Sequence, residues 1–341
     1  MLSLHNKTGV SLVICCFNSE NRISKTLQFI AAQRVPEHID WEILLIDNAC
    51  TDATVDIAID MWNNVKSNCN LKVITEMQPG LSFARKTAIK EAQFEYILFC
   101  DDDNWLHPEY VFNVYTIMSK DTTIAVLGGC GVFEPEKPLW KYSSFFQKYY
   151  VNGAQTWAKS EHWVYGASAT IRKTVIQELY DNGWEQITTG RKKTKLSAGE
   201  DVEICFMCYL MGHKIVYDDR LTFKHFVPKS RQNINYLKRV NYGIGYSHVL
   251  LNCYYMFFSL TNTTIERNLR QWLFKASINF MKAFVLSLFK VFTNESAEAQ
   301  KEQLTFQRNY GSFISLLNNR RKIAEHYHII NGLIRKTSFE R

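Results

Sequence analysis

Three consecutive carboxylates, Asp101, Asp102 and Asp103, directly follow an apolar run at residues 96–100. A run of this length and composition predicts a buried strand of a parallel sheet. The acids would then lie at the carboxyl edge of the sheet, where open α/β sheets bind their ligands. Adjacent carboxylates repel one another, and a hard divalent cation that prefers oxygen ligands would relieve that repulsion. The stretch therefore indicates either a metal site or a solvated acidic turn, and alone it does not decide between them.

The elements that must position these acids alternate between strands and helices. Apolar runs at residues 10–17, 41–46, 71–75 and before Asp101 predict strands, and segments with helical spacing lie between them. The order βαβαβαβ predicts a mainly parallel central sheet flanked by helices. Asn18, Asp47 and the three acids would end three of the four strands at one edge of this sheet. Acids or amides at three strand ends favour a binding site over a chance turn.

Later polar residues could contribute to this site. Glu200 and Asp201 begin a segment with helical spacing, where the helix dipole stabilises acids and where a carboxylate could act as a general base. His225 is either a structural residue or a neutral imidazole ligand for a metal. Residues 188–200 predict a polar, basic loop.

The glycine-rich segments do not indicate a dinucleotide fold. No G-x-G-x-x-G pattern follows the first strand, which disfavours a dehydrogenase-type fold. The sequence Gly-Gly-Cys-Gly at residues 128–131 lacks the third glycine of that pattern and predicts a tight turn.

Charge is unevenly distributed along the 341 residues. Residues 1–219 contain 21 Lys or Arg and 27 Asp or Glu, whereas residues 220–341 contain 19 and 6. The C-terminal third therefore has a net charge of +13, which indicates an anionic surface partner, either a membrane or a nucleic acid.

The cysteines and apolar segments indicate the compartment. There are nine cysteines, and the CxxC of Cys205 and Cys208 has no second pair that would complete a zinc site. Buried free thiols in a reducing compartment are the expected state. The apolar run at residues 10–17 is too short for a signal peptide, and no apolar stretch reaches the roughly 18 residues of a spanning helix. We expect a cytoplasmic protein, with peripheral contact to the inner face of the cell membrane as an open alternative.

Six segments of the chain follow one another in a characteristic order: residues 13–20, 46–52, 80–85, 99–103, 199–201 and 225–231. Together they resemble the family 2 glycosyltransferases with the GT-A fold, over roughly residues 10–231. The fourth segment resembles the D-x-D motif, and the fifth is similar to the later Glu-Asp motif. Three residues depart from the family pattern: Cys15 and Cys50 stand where proline and serine are common, and Asn48 replaces a common second acid.

The resemblance implies an inverting, metal-dependent sugar transfer in the assembly of surface polysaccharide or lipid-linked glycan. The donor would be a nucleotide-diphosphate sugar, with a UDP-sugar favoured, and the acceptor a glycan or a lipid-linked glycan rather than nucleic acid. Asp201 would be the catalytic base, and Asp103 and His225 would bind Mn²⁺ or Mg²⁺. The implied donor-binding residues are Cys16, Asn18, Glu20, Asp47, Arg85, Asp101 and Asp102. The implied acceptor or diphosphate contacts are Trp105, Gly166, Ala167, Arg191, Lys193, Glu200 and Arg231.

The implied architecture is an α/β GT-A domain, Rossmann-like, with a C-terminal helical extension. The GT-A domain would span residues 1–235, with a nucleotide-binding half at about 1–105 and an acceptor half at about 106–235. Residues 236–341 would form the basic, mostly helical region.

Two other protein classes remain as alternatives. A sugar-phosphate nucleotidyltransferase could use a similar sheet, although residues 15–24 lack the Gly-rich basic loop that such enzymes usually carry. A nucleic-acid-binding protein could use the basic C-terminal third, but the sequence contains no recognisable module and the acidic strand ends would stay unexplained.

The C-terminal region contains a segment, residues 269–292, with two contrasting faces. Gln271, Lys275, Asn279 and Lys282 share a narrow polar face. This pattern fits either a helix packed on the rest of the protein or an interfacial helix with lysines toward anionic headgroups. Residues 294–305 predict a polar linker, and residues 313–334 predict a final amphipathic helix. The apolar face of residues 269–292 comprises Leu273, Phe274, Phe280, Phe284 and Leu288.

Overall fold

The computed structural model describes residues 7–65, 67, 69–138, 146–191, 198–259, 263–290 and 296–339. The chain divides into two compact units. The first unit comprises Met1–Glu136, Tyr150–Asp181 and Ile204–Val227, and the second comprises Lys137–Tyr149, Asn182–Glu203 and Pro228–Arg341. This division differs from the predicted boundary at residue 235, because residues 182–203, with Glu200 and Asp201, belong to the second unit.

The first unit is built on one mixed sheet with the strand order β3-β2-β1-β4-β7-β6-β8-β5. Strands β3, β2, β1 and β4 pair in parallel, as the sequence predicts. Strand β7 is antiparallel to both of its neighbours, β6 is parallel to β8, and β5 is antiparallel to β8. The strands are β1 (Lys7–Cys16), β2 (Trp41–Asp47), β3 (Leu71–Thr75), β4 (Phe94–Asp101), β5 (Asn104–Leu106), β6 (Ile124–Pro135), β7 (Thr170–Arg172) and β8 (Lys214–Val227).

Helices follow the first strands in the predicted alternation. In α1, Ile23, Leu27 and Ile30 are fully buried at helical spacing. They pack in one hydrophobic core with strand residues such as Leu12 and Ile43, and burial of this apolar surface is the main stabilising term of the unit. The helices are α1 (Ile23–Ala31), α2 (Thr54–Asn63), α3 (Leu81–Glu91), α4 (Tyr110–Lys120), α5 (Ala158–Glu161), α6 (Lys173–Asp181) and α7 (Glu200–Leu210), of which α7 begins in the second unit.

The parallel register brings the strand ends to one edge. Cys16 of β1 is paired with Asp47 of β2, and Cys15 is paired with Asp101 of β4. Because β2 and β4 flank β1 on opposite sides, the chain order reverses at β1, which is the position where open α/β sheets bind ligands.

The tight turn predicted at residues 128–131 is wrong, because these residues lie inside β6. A Cβ atom at Gly129 would collide with the carbonyl oxygen of Leu221 and the hydroxyl of Tyr110, and one at Gly128 would lie 2.7 Å from Val164. Glycine is therefore required here by close approach of neighbouring groups to the strand rather than by a turn.

The second unit contains the C-terminal helices α8 (Ile234–Leu250), α9 (Asn252–Phe258), α10 (Ile265–Lys290) and α11 (Ala297–Phe339). The predicted linker is wrong over residues 297–305, which belong to α11, while residues 294–295 lie outside the described residues. Phe280 of α10 stacks on Phe313 of α11, with ring centroids 5.2 Å apart. Among the helices that the structure describes, none combines the length and apolarity that a membrane-spanning segment requires.

Candidate functional site

The two predicted metal ligands meet where β5 pairs with β8. Asn104 lies opposite His225 in this pairing, and the Phe226 amide donates to the Asp103 carbonyl oxygen at 2.8 Å. The Oδ1 atom of Asp103 lies 3.7 Å from Nδ1 of His225. Both side chains are buried, with Asp103 3% and His225 8% exposed. A carboxylate and an imidazole far apart in sequence are therefore adjacent beside the end of β4.

Asn104 is a site residue that sequence reasoning missed. Its side chain is fully buried, with Oδ1 2.9 Å from His225 Nδ1 and Nδ2 donating to Ser168 Oγ at 3.1 Å. Because an amide oxygen only accepts, Nδ1 of His225 must carry the hydrogen, and in the neutral ring the lone pair lies on Nε2. The only signal in the sequence was an amide directly after the three acids.

Gly166 and Ala167 lie in a buried turn beside β4. The Ala169 amide donates to the Gly166 carbonyl at 3.2 Å, and the Phe99 amide donates to the Ala169 carbonyl at 2.9 Å. Ser168 in the same turn has a positive φ of 55°. The predicted small-residue segment is thus connected to the acidic strand end through Ser168 and Asn104.

Asp102 ties the acidic turn to α1. Its carboxylate accepts from Arg22 Nη2 at 2.8 Å and from the hydroxyl of Ser19. Its carbonyl oxygen accepts from Thr26 Oγ1 at 2.7 Å. The charge of Asp102 is thus balanced by Arg22 within the protein. Asp101 is the last residue of β4 and is half-buried.

Asn18 and Glu20 connect the turn after β1 to the turn after β2. Asn18 Oδ1 accepts from the Thr51 amide at 2.8 Å, and Glu20 Oε2 accepts from the Ala53 amide at 3.3 Å. Asn18 has a positive φ of 51°, which asparagine tolerates better than most residues. These two predicted donor-binding residues therefore also fix the shape of the sheet edge.

Asp47 and Asn48 organise the turns that follow β2 and β3. Asp47 Oδ1 accepts from the Cys50 amide at 2.9 Å. Asn48 donates to the Gln78 carbonyl at 2.8 Å and accepts from the Gly80 amide at 2.7 Å. Asparagine at position 48 provides a donor and an acceptor together, which a carboxylate would not.

Arg85 and three cysteines, Cys15, Cys16 and Cys50, belong to the elements that form this edge. Arg85 is 6% exposed, and its guanidinium carbon lies 5.1 Å from the centroid of the Phe99 ring. Burial raises the pKa of Cys15 to about 12, opposed in part by the charge of Arg85. Burial likewise raises the pKa of Cys16 well above its usual range and that of Cys50 to about 11. The thiols at this edge are therefore uncharged near neutral pH.

Trp105 lies in the middle of β5, directly after the acidic turn. Its indole stacks on Phe29 with centroids 5.4 Å apart and on Phe226 with centroids 5.1 Å apart. These aromatic contacts pack the ring between Phe29 and Phe226, and the acceptor or diphosphate contact expected of Trp105 stays a prediction.

The second unit carries the remaining predicted residues. Glu200 and Asp201 lie in the first turn of α7, with Glu200 buried and Asp201 half-buried. Arg231 ends the short 3₁₀ turn Lys229–Arg231, and Arg191 is exposed. Lys193 lies outside the described residues.

The donor set can be compared with what a divalent cation requires. Within the described ranges, no group of three or more His, Cys, Asp or Glu side chains is arranged to hold a metal. The Asp103–His225 pair instead offers one imidazole and one carboxylate, of which the carboxylate is the ligand type that suits Mn²⁺ and Mg²⁺. Mg²⁺ is commonly held by one or two carboxylates together with waters and substrate phosphates. The residues present therefore fit an ion that takes its remaining ligands from waters and substrate phosphates.

The parallel part of the sheet reverses its order at β1 and carries acids at its carboxyl edge, which defines an α/β protein with these acids at the position where such sheets bind ligands. Residues 11–180 match the model of the family described as Glycosyl transferase family 2. The chain belongs to glycosyltransferase family 2.

Two curated relatives illustrate the similarity. The chain is 32% identical over 119 residues to the poly(ribitol-phosphate) beta-glucosyltransferase of Bacillus spizizenii, covering 35% of this chain and 18% of that protein. It is 23% identical over 250 residues to the poly-beta-1,6-N-acetyl-D-glucosamine synthase of Staphylococcus epidermidis, covering 71% and 56%. The chain thus matches only part of the length of these relatives.

Two solved structures share the fold. S. aureus TarS 1-349 in complex with UDP-GlcNAc has a TM-score of 0.50 at 17% identity and covers 96% of this chain and 92% of its own. The mannosyltransferase PcManGT from Pyrobaculum calidifontis, in complex with GDP-Man and Mn²⁺, has a TM-score of 0.53 at 15% identity and covers 99% and 89%. The predicted GT-A-like fold, with its mostly parallel sheet and C-terminal helical region, is confirmed.

Proposed function

We propose that this chain transfers a sugar from a nucleotide-diphosphate sugar, with a UDP-sugar as the favoured donor, to a hydroxyl of a glycan or lipid-linked acceptor. Family membership supports glycosyl transfer. Two relatives are named for glucosylation of poly(ribitol-phosphate) and for poly-N-acetylglucosamine synthesis, which supports a role in surface polysaccharide or lipid-linked glycan assembly. The observation that carries the proposal is the buried Asp103–His225 pair beside the strand ends of Asp47 and Asp101.

Asp103 and His225 are the residues that would hold Mn²⁺ or Mg²⁺ in this proposal. When bound, the ion would stabilise the charge that develops on the leaving diphosphate. Asn104 holds the imidazole with its lone pair on Nε2, the neutral form that binds metals. The Mn²⁺ named with PcManGT supports divalent metal use in this fold.

The donor would bind along the edge formed by the ends of β1, β2 and β4. Asp47 would hold the nucleoside base, and Asp101 would face the ribose. Cys16, Asn18 and Glu20 would line the turn after β1. Arg85 and Asp102 would contribute mainly by supporting this edge, since Arg85 packs on Phe99 and Asp102 pairs with Arg22.

Asp201 would take the proton from the acceptor hydroxyl while the oxygen of that hydroxyl attacks the anomeric carbon of the donor. The nucleoside diphosphate would leave from the opposite face of that carbon. A single displacement of this kind inverts the configuration at that carbon. The first turn of a helix favours an ionised carboxylate, and a base must be ionised to accept a proton. Gly166, Ala167, Glu200 and Arg231 would contribute acceptor or diphosphate contacts, as would Arg191 and Lys193.

The substitution Asp201→Asn tests the proposed base, because it keeps the size of the side chain and removes the proton acceptor. We expect kcat to fall by about 10²–10⁴-fold, with UDP affinity measured by calorimetry unchanged. Asp60→Asn, at an exposed position on α2, is the control and should keep wild-type turnover. Wild-type turnover in Asp201→Asn would contradict the assignment.

Product analysis with a sugar-labelled nucleotide donor tests the reaction class and metal use. We expect labelled acceptor with inverted configuration and free nucleoside diphosphate, and release of pyrophosphate would instead indicate nucleotidyl transfer. EDTA should stop turnover, and Mn²⁺ or Mg²⁺ should restore it. Full activity in the chelator would contradict the metal assignment.

A peripheral contact with an anionic membrane surface is the second part of the proposal. Five apolar side chains of α10 are spaced so that they form one outward stripe, opposite the face that packs on α11, and we call them the α10 stripe. A helix that buries one apolar face and exposes another suits an interfacial position. The α10 stripe consists of Phe274, Ile278, Met281, Val285 and Leu288, which are 70%, 37%, 54%, 43% and 51% exposed.

Charge complementarity supports a membrane as the occupant of the α10 stripe. Helix α10 contains five Lys or Arg and one acid, Glu266. Lys275 and Lys282 lie one residue after stripe positions and are exposed, and basic side chains near a membrane surface are attracted to anionic lipids. A second copy of the helix would offer one acid, Glu266, against five basic side chains. The nine cysteines, all within the described residues and none in a disulfide, support a reducing compartment and hence the inner face of the membrane.

A further inference from the structure

Glu203, in the first turn of α7, is a fully buried carboxylate. It accepts hydrogen bonds from the amides of Ile187 and Thr188 at 2.8 and 2.9 Å and from the Thr188 hydroxyl at 2.6 Å. A buried charge is tolerated only when such donors surround it. The first turn of α7 is therefore fixed to the segment that precedes it.

The C-terminal helices supply further donors to the same carboxylate. Tyr254 Oη of α9 donates to Glu203 Oε1 at 2.9 Å, and His326 Nε2 of α11 lies 3.1 Å from the same oxygen. Trp184 Nε1 donates to Tyr254 Oη at 3.0 Å, and His326 Nε2 lies 2.9 Å from that hydroxyl. Lys322 of α11 donates to the Ile187 carbonyl at 2.9 Å.

These contacts bear on Asp201 because both acids belong to one helical turn. Residues two positions apart on a helix point to different faces, so Glu203 can be anchored inside the second unit while Asp201 remains half-buried. Fixing Glu203 fixes the direction in which the turn presents its other side chains. Hydrogen bonds to a charged group are about twice as strong as neutral ones, which makes Glu203 an effective anchor.

We propose that Glu203, Tyr254 and His326 are positioning residues that hold the Asp201 carboxylate in its catalytic orientation. The inference rests on the proposed function, in which Asp201 is the base. It gives the C-terminal helices α9 and α11 an indirect role in catalysis, through the orientation of Asp201. Disturbing the anchor should lower kcat without changing donor binding, since Glu203, Tyr254 and His326 are not among the proposed donor-binding residues.

The test compares Tyr254→Phe and His326→Leu with a matched control, Tyr246→Phe, in the full chain. Tyr246 Oη accepts from Asn319 Nδ2 at 2.9 Å, so the control loses a similar hydrogen bond between C-terminal helices but none to Glu203. We expect kcat to fall by about 10–100-fold in the two test variants, because small misplacements of a catalytic group have effects of this order. The KM for the donor should stay within about twofold, as we expect for a group that acts only on the proton acceptor.

His326→Gln provides the rescue, because its amide nitrogen can donate to Glu203, and it should recover most of the lost kcat. Wild-type kcat in both test variants, or an equal fall in Tyr246→Phe, would overturn the inference. Asp201→Asn distinguishes failure of the positioning role from failure of the proposed base. An inactive Asp201→Asn beside fully active anchor variants refutes only the positioning role, whereas an active Asp201→Asn refutes the proposed base itself.

Discussion

His225 and Asn104 lie opposite each other in the β5–β8 pairing, with His225 Nδ1 2.9 Å from Asn104 Oδ1. The strand register therefore selects the tautomer of the imidazole before any ligand binds. Asn104 is in turn held by Ser168, so the turn at residues 166–169 contributes to the same orientation.

Asn104→Ala should weaken Mn²⁺ binding to the UDP complex by about 10–100-fold, because loss of a partner that orients a ligand typically has this effect. Calorimetric titration of Mn²⁺ in the presence of UDP would measure the change. Asn64→Ala, which removes an exposed amide that bonds to the Asp60 carbonyl, is the control. Unchanged Mn²⁺ affinity in a folded Asn104→Ala variant would contradict the orienting role.

Local patterns were sufficient to predict the first four strands and the helices between them. The apolar run at residues 71–75 corresponds to β3, and the spacing of Ile23, Leu27 and Ile30 corresponds to the buried face of α1. In each case the periodicity of burial is a property of neighbouring residues in the chain. Parallel pairing then aligns the strand ends, which is why Asp47 and Asp101 could be assigned to one edge.

Contacts between residues distant in sequence could not be predicted from these local patterns. The role of Asn104 depends on the register between β5 and β8, which no local signal encodes. The need for glycine at position 129 is also a long-range effect, since it arises from the close approach of Leu221 and Tyr110, which are distant in sequence. Glu203 likewise carries no local signal, since its anchoring depends on Tyr254 and His326, which are distant in sequence.

Arg22→Met should destabilise the first unit, because it leaves the Asp102 carboxylate without its cation. The Arg22 and Asp102 side chains are 18% and 12% exposed. Breaking a fully buried pair costs about 3–5 kcal/mol, and with partial solvent screening we expect about 2 kcal/mol. Urea unfolding would measure the loss. Arg321→Met is the control, because the Arg321–Glu325 pair is largely exposed and should contribute nothing measurable, and equal effects of the two substitutions would contradict the prediction.

The thiols of Cys15 and Cys50 should resist alkylation in the folded protein. Their pKa values are raised by burial to about 12 and about 11, so at pH 8 the reactive thiolate is scarcer by about two to three orders of magnitude than in a free cysteine. Mass spectrometry after iodoacetamide treatment would report each site, and the reaction should accelerate as pH rises toward 10. Denatured protein is the control for full reactivity. Rapid labelling of folded protein at pH 8 would show that the pKa values of these half-buried thiols are not raised.

Two pairs of substitutions in α10 test its contact with a membrane. Phe274→Ser with Met281→Ser removes apolar contact, and each side chain contributes up to about 1.5–3 kcal/mol when buried. We expect binding to phosphatidylglycerol-containing vesicles, measured by co-sedimentation, to weaken by at least about tenfold. Lys275→Gln with Lys282→Gln should weaken binding to these vesicles but not to neutral ones, because each lysine contributes about 1 kcal/mol at an anionic surface. The control, Leu317→Ser with Ile329→Ser, changes two exposed residues of α11 and should bind normally. Wild-type vesicle binding by both α10 variants, or a dimer that only the Phe274 and Met281 changes dissociate, would assign the stripe to another partner.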